Sequence, residues 1–98
     1  MTDHKKLGAI KLKIVPILKS YGVEEAYIFG STARGDSGPG SDVDLMIDKI
    51  DSPRTFFRLA ALTEELEQAL GQKVDLMFDK TIKPSVRPYI IKDRIRLI

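Results

Sequence analysis

Two aspartates one residue apart, Asp42 and Asp44, close the stretch GSTARGDSGPGSDVDL at residues 30–45, which holds four of the chain's seven glycines. They head the run Asp42-Val43-Asp44-Leu45-Met46-Ile47-Asp48, whose period of two reads as a strand. Val43, Leu45 and Ile47 fall on one face, Asp42, Asp44, Met46 and Asp48 on the other. Positions two apart on a strand are separated by about 6.6 Å, so both carboxylates can converge on one small volume. Aspartate is depleted in strands and like charges repel, so the pair requires a compensating cation or free solvation. Oxygen donors without a nearby histidine or cysteine favour a hard divalent ion such as Mg²⁺. An edge strand defended by charge would carry the same two residues, and from Asp42 and Asp44 alone both readings stand.

A third acid weights the choice. The run Lys73-Val74-Asp75-Leu76-Met77-Phe78-Asp79 alternates in the same way, with Val74, Leu76 and Phe78 inward and Asp75 on the polar side. If this strand lies beside the first, Asp75 joins the pair, and three carboxylates on one sheet face suit two ions that stabilise the attacking and leaving oxygens of a phosphoryl displacement. Asp48 and Asp79, farther along, read as surface residues.

The glycine-rich segment fits neither of two common motifs. Gly30 to Ser37 mimics a Walker A loop, but Asp36 stands where a lysine should reach the phosphates. An EF-hand beginning at Asp42 would need a ligating residue where Met46 stands. A strand Ala26-Tyr27-Ile28-Phe29 ending at Gly30 remains, where a missing side chain permits close approach. The Ser31 hydroxyl and amide suit phosphate oxygens, and the Arg34 guanidinium suits a triphosphate tail. A plain turn with an exposed arginine is the competing reading.

Around these residues lie ordinary helical signals. Leu7, Ile10, Ile14, Ile17 or Leu18, and Tyr21 recur at helical spacing before Gly22, with a bend expected near Val15 because Pro16 falls inside. Ser52-Pro53 reads as a cap and first turn for a helix through Phe56, Leu59, Ala60, Leu62, Thr63, Leu66, Ala69 and Leu70, closed by Gly71. A short helix over residues 84–93 and an edge strand over residues 94–98 complete the chain. The order gives an α+β fold, a small mixed sheet flanked by helices, with little room for a parallel crossover except around the Pro53–Leu70 helix.

At 98 residues the chain is expected to form one domain, 1–98. It has no cysteine, which excludes disulfides, thiolate metal sites and cysteine nucleophiles, and its one histidine, His4, lies near the start. No apolar run approaches the roughly 20 residues needed to cross a bilayer, and the opening MTDHKKLGAIKLK lacks a secretory core, so a cytoplasmic protein without membrane contact is expected. The net charge of +2 hides five lysines and no acid in residues 5–19, and five aspartates against one lysine in residues 36–51. Scattered basic residues without an aromatic stacking motif argue against nucleic acid.

The spacing glycine-serine, arginine-glycine, then serine-aspartate-x-aspartate-leucine, read at Gly30-Ser31, Arg34-Gly35 and Ser41-Asp42-Val43-Asp44-Leu45, resembles the nucleotidyltransferase signature of the DNA polymerase beta superfamily, in its minimal branch. The resemblance implies that Gly30 and Ser31 contact nucleotide phosphates, that Asp42 and Asp44 ligate two Mg²⁺ ions, and that Asp75 is the third carboxylate, ligating one ion and helping to activate the attacking hydroxyl. Arg34 would contact the triphosphate. It further implies that ATP donates AMP to a hydroxyl, and that the acceptor is a tyrosine on a helical HEPN-type toxin silenced by this antitoxin. Another helical substrate-binding protein could fill that place. The alternative is a non-catalytic binding module of the same fold.

Overall fold

The structure, a computed structural model, describes residues 4–35, 42–51 and 56–98. The sequence between Asp36 and Ser41 and the expected Ser52–Pro53 cap lie outside these residues. In chain order the elements are α1 (His4–Ser20), β1 (Val23–Phe29), α2 (Gly30–Arg34), β2 (Val43–Ile50), α3 (Phe56–Leu70), β3 (Val74–Phe78), a 3₁₀ turn (Asp79–Thr81), α4 (Arg87–Asp93) and β4 (Ile95–Arg96). The strands form one mixed sheet in the order β3-β2-β1-β4, an α+β arrangement. β1 runs antiparallel to β2 and β4, and β2 runs parallel to β3 through the α3 crossover expected from the sequence.

Period-two patterning places the main core. Ala26 and Ile28 of β1, Val43, Leu45 and Ile47 of β2 and Val74 of β3 meet Ile10, Ile14 and Leu18 of α1 and Leu62 and Leu66 of α3. These helices present apolar residues at intervals of three or four, as the spacing predicts. α1 is not split at Pro16, which is exposed. On that side water can serve the carbonyl that a proline leaves without its amide donor.

The opposite face differs from expectation. Phe29, Met46 and Ile90 form a second buried cluster, joined by Tyr27, Met77 and Ile82, so α4 covers part of the face that carries the aspartates. Met46 is therefore core, not polar surface, and β2 is buried on both sides along its middle. Asp48 and Asp79 are half-buried rather than surface residues. Asp79 pairs with Arg87, and burial, with the Asp79 and Glu25 charges, pushes the Asp48 carboxyl above its ordinary range. The expected loop after Phe29 begins as helix α2, the C-terminal helix is shorter than predicted, and the edge strand keeps only Ile95 and Arg96.

The turn between α3 and β3 aligns the parallel pair. Gly71 ends α3 at φ +67°, the Val74 amide donates to the Glu67 carboxylate at 3.0 Å, and the Val43 amide donates to the Lys73 carbonyl at 2.8 Å. Pairing then proceeds in step from Val43 opposite Val74 to Ile47 opposite Phe78. Among the described residues no helix is long and apolar enough to cross a membrane.

Leu45, fully buried at the middle of β2, should be the costly position to truncate. Leu45→Ala is expected to lower stability by about 2–5 kcal/mol through lost burial and a residual cavity, read as a shift of the urea unfolding midpoint.

Candidate active site

The parallel register sets Asp44 directly opposite Asp75. Opposed residues of a parallel pair point to the same face, so Asp75 shares the face of Asp44. Asp42 stands two residues before Asp44, at the exposed approach to β2, while Asp44 is half-buried and Asp75 exposed. Burial pushes the Asp44 carboxyl above the usual range, the charges of Asp75 and then Asp42 push it further, and the Arg34 guanidinium opposes them. All three groups thus lie within the electrostatic field of one carboxylate.

On the other side Asp44 is paired with Phe29, the last residue of β1, and Gly30 follows at once. Gly30 adopts φ +74°, and a Cβ built there would collide with the Asp44 carboxylate. The absent side chain is what lets the α2 turn close against the acid. Gly30 begins α2 and half-buried Ser31 follows it; buried Thr32 and Ala33 hold the turn to the body, and Arg34 ends it. Gly35, at φ +80°, caps α2 by donating its amide to the Ser31 and Thr32 carbonyls.

Gly30, Asp44 and Asp75 are therefore brought together, with Asp42, Ser31 and Arg34 at the rim. Arg34, expected against a triphosphate, donates from Nη1 to Asp93 Oδ2 at 3.0 Å. Asp93 was not legible as a member of this region, because 59 residues separate the partners and no motif includes it. Among the described residues no three acids or imidazoles are gathered closely enough to enclose one ion. The donor chemistry nonetheless suits a hard divalent cation: Asp44 and Asp75 stand opposite each other with Asp42 at the approach to β2, and Asp44 is disfavoured as an anion by burial and then by its two like-charged neighbours.

Two glycines separate backbone strain from the contact with Asp44. Gly71→Ala, at φ +67° with open space around the new methyl, is expected to cost about 1–2 kcal/mol for the left-handed conformation alone. Gly30→Ala should cost more, because Asp44 must also move. Equal losses of unfolding free energy in the two variants would remove the close approach from the account.

Residues 12–98 match the family described as Polymerase beta, Nucleotidyltransferase. The chain is 34% identical over 92 residues, 94% of itself and 98% of the relative, to a candidate protein adenylyltransferase of Methanocaldococcus jannaschii. It is 30% identical over 93 residues, 95% of itself and 84% of the relative, to the protein adenylyltransferase MntA of Thermococcus cleftensis. A solved structure of a candidate minimal nucleotidyltransferase superposes with a TM-score of 0.78 at 29% identity, covering 96% of this chain and 95% of that one. The fold also recurs, with a TM-score of 0.71 at 18% identity over 93% of this chain and 71% of that one, in a structure of a tri-AMPylated Shewanella oneidensis HEPN toxin in complex with MNT antitoxin. With the glycine turn, the paired acids and the mixed sheet in place, the chain belongs to the polymerase beta nucleotidyltransferase family, in its minimal form.

Proposed function

We propose that this protein transfers AMP from ATP to a tyrosine hydroxyl of a helical HEPN-type toxin and thereby acts as an antitoxin. The observation that carries the reading is the opposition of Asp44 and Asp75 on one sheet face, with Gly30 closed against Asp44. Relatives named as protein adenylyltransferases support the reaction, and the related complex of an AMPylated toxin with an MNT antitoxin supports the partner. A protein that consumes ATP in this way would work in the cytoplasm.

Asp42, Asp44 and Asp75 would hold two Mg²⁺ ions, which when bound neutralise charge on the reacting phosphate and lower the proton affinity of the attacking hydroxyl. The chain's own groups bind and orient. Gly30 and Ser31 receive the phosphates, Ser31 through its hydroxyl and amide, and Arg34 contacts the triphosphate. Asp75, exposed beside Asp44, takes part in activating the acceptor. The bond from acceptor oxygen to the α-phosphorus forms as the bond from that phosphorus to the bridging oxygen breaks. Pyrophosphate carries away the electron pair, and the hydroxyl proton passes to a carboxylate or to water. No residue needs to become a covalent intermediate, so the acceleration rests on positioning and electrostatics.

The test is the double variant Asp42→Asn with Asp44→Asn, incubated with labelled ATP, Mg²⁺ and a co-expressed toxin partner. Transfer should fall by at least about a hundredfold, the scale of losing one electrostatic stabiliser of a transition state. Without metal the variant should melt at the same temperature as the parent or higher, since burial and repulsion already disfavour the Asp44 anion. The parent should gain about 2.7 kcal/mol at a ligand concentration a hundredfold above Kd, and the variant should not. Label transfer undiminished in the variant would refute the catalytic reading.

A further inference from the structure

We propose that Asp93 is a positioning residue for the nucleotide, holding the Arg34 guanidinium in place at the cleft that Gly30 also lines. The inference deepens the reading of Arg34 as a triphosphate contact and rests on it. The Arg34 Nη1 to Asp93 Oδ2 contact of 3.0 Å ties α2 to α4 with side chains 46% and 28% exposed. Exposed pairs of this kind contribute only about 0–1 kcal/mol, so the stability of the fold gives little reason for it. Local helix energetics give none. Asp93 is the last residue of α4, where unsatisfied carbonyls make a carboxylate unfavourable and a cation favourable. What compensates Asp93 there is Arg34.

Both ends of the pair are referenced to the same point of the sheet. Ile90, one turn before Asp93, is buried with Phe29 and Met46, and its carbonyl accepts the Arg94 amide at 2.9 Å, which closes the helix end. Phe29 is the strand partner of Asp44 and the residue before Gly30. At the other end Ala33 and Thr32 anchor α2, leaving Arg34 as its outermost residue. Between them lies a shallow cleft of about 200 Å³ lined by Phe29, Gly30, Arg34, Tyr89, Ile90 and Asp93.

Arginine carries about 2 kcal/mol of rotamer entropy, and its planar fork recognises phosphate only when correctly turned. A carboxylate on one nitrogen fixes that plane before the nucleotide arrives, which lowers the ordering cost of binding. Asp93 would act on ATP through Arg34, without touching the reacting atoms.

The test measures ATP binding by calorimetry in the presence of Mg²⁺, together with KM, kcat and Tm, for the parent, Asp93→Asn, Asp93→Glu, Arg34→Ala and the Arg34→Ala, Asp93→Asn double variant. Asp93→Asn should weaken ATP binding and raise KM by about three- to tenfold, the scale of one side chain's ordering cost. Its kcat should stay within about twofold and its Tm unchanged, and Asp93→Glu should recover most of the affinity. The double variant should bind no more weakly than Arg34→Ala alone, since the two act in series. Unchanged or tighter binding in Asp93→Asn, or losses that add in the double variant, would overturn the proposal. If Arg34→Ala itself binds ATP like the parent, the premise about Arg34 falls and the proposal with it, while the carboxylate site stands or falls on its own variants.

Discussion

In a parallel pair, side chains that stand opposite each other share a face, and the candidate site depends on β2 and β3 keeping that register. A slip of one residue would send Asp75 into the core and Val74 or Leu76 to the face of Asp44. Two forces resist it. Val43, Leu45 and Ile47 are buried against α1 and α3 together with Val74, so a slip would expose apolar area along both strands. The Glu67 carboxylate, held at the end of α3, accepts the Val74 amide, and the Lys73 carbonyl accepts the Val43 amide, which fixes the first rung of the ladder. Hydrophobic burial and one capping acid on a helix thereby determine where an exposed aspartate stands.

The face that carries the acids is shared between opposing demands. Carboxylates need water or a cation, whereas Phe29, Met46 and Ile90 need cover. The sheet separates them along the strands. Asp42, Asp44 and Asp75 sit near the starts of β2 and β3, and α4 lies over Met46 farther along, with Met77 packed beside it. Asp44 falls at the boundary, which is why it is half-buried and why burial is the leading cause of its raised pKa. Gly30 is the other half of that boundary. Any side chain there would compete with the Asp44 carboxylate for the same space.

Much of this was legible in the sequence because alternation is a direct projection of the pleat. The three long strands, the two core helices, the parallel crossover through α3 and the shared face of Asp44 and Asp75 follow from period two, period 3.6 and the Gly71 stop. Met46 was misplaced because alternation assigns a residue to a face but says nothing about what covers that face; α4 is distant in sequence, and only packing brings Ile90 over it. Asp48 and Asp79 were misread for the same reason, since what lies over that face determines their burial. The α2 turn was hidden because five residues give no periodicity, and its closing signal, Gly35, belongs equally to a loop. The Arg34–Asp93 pair is a tertiary contact between the ends of two short helices, and nothing local announces it.

The geometry also bears on how the site could work in water. Asp42 and Asp75 are exposed, and charges in contact with solvent interact at high effective dielectric, where even close opposite charges gain only about 1 kcal/mol. Electrostatic stabilisation of a transition state gains its strength from excluded water, so an open rim is a poor catalyst until something covers it. Under the proposed function the cover arrives with the acceptor, because a tyrosine offered on a folded partner brings apolar surface along with its hydroxyl. The groups that must be exact before docking, Asp44, Gly30 and the base of α2, are those the sheet and core hold. Asp42 and Asp75, which the partner would shield, stand at the surface where its approach changes their surroundings most.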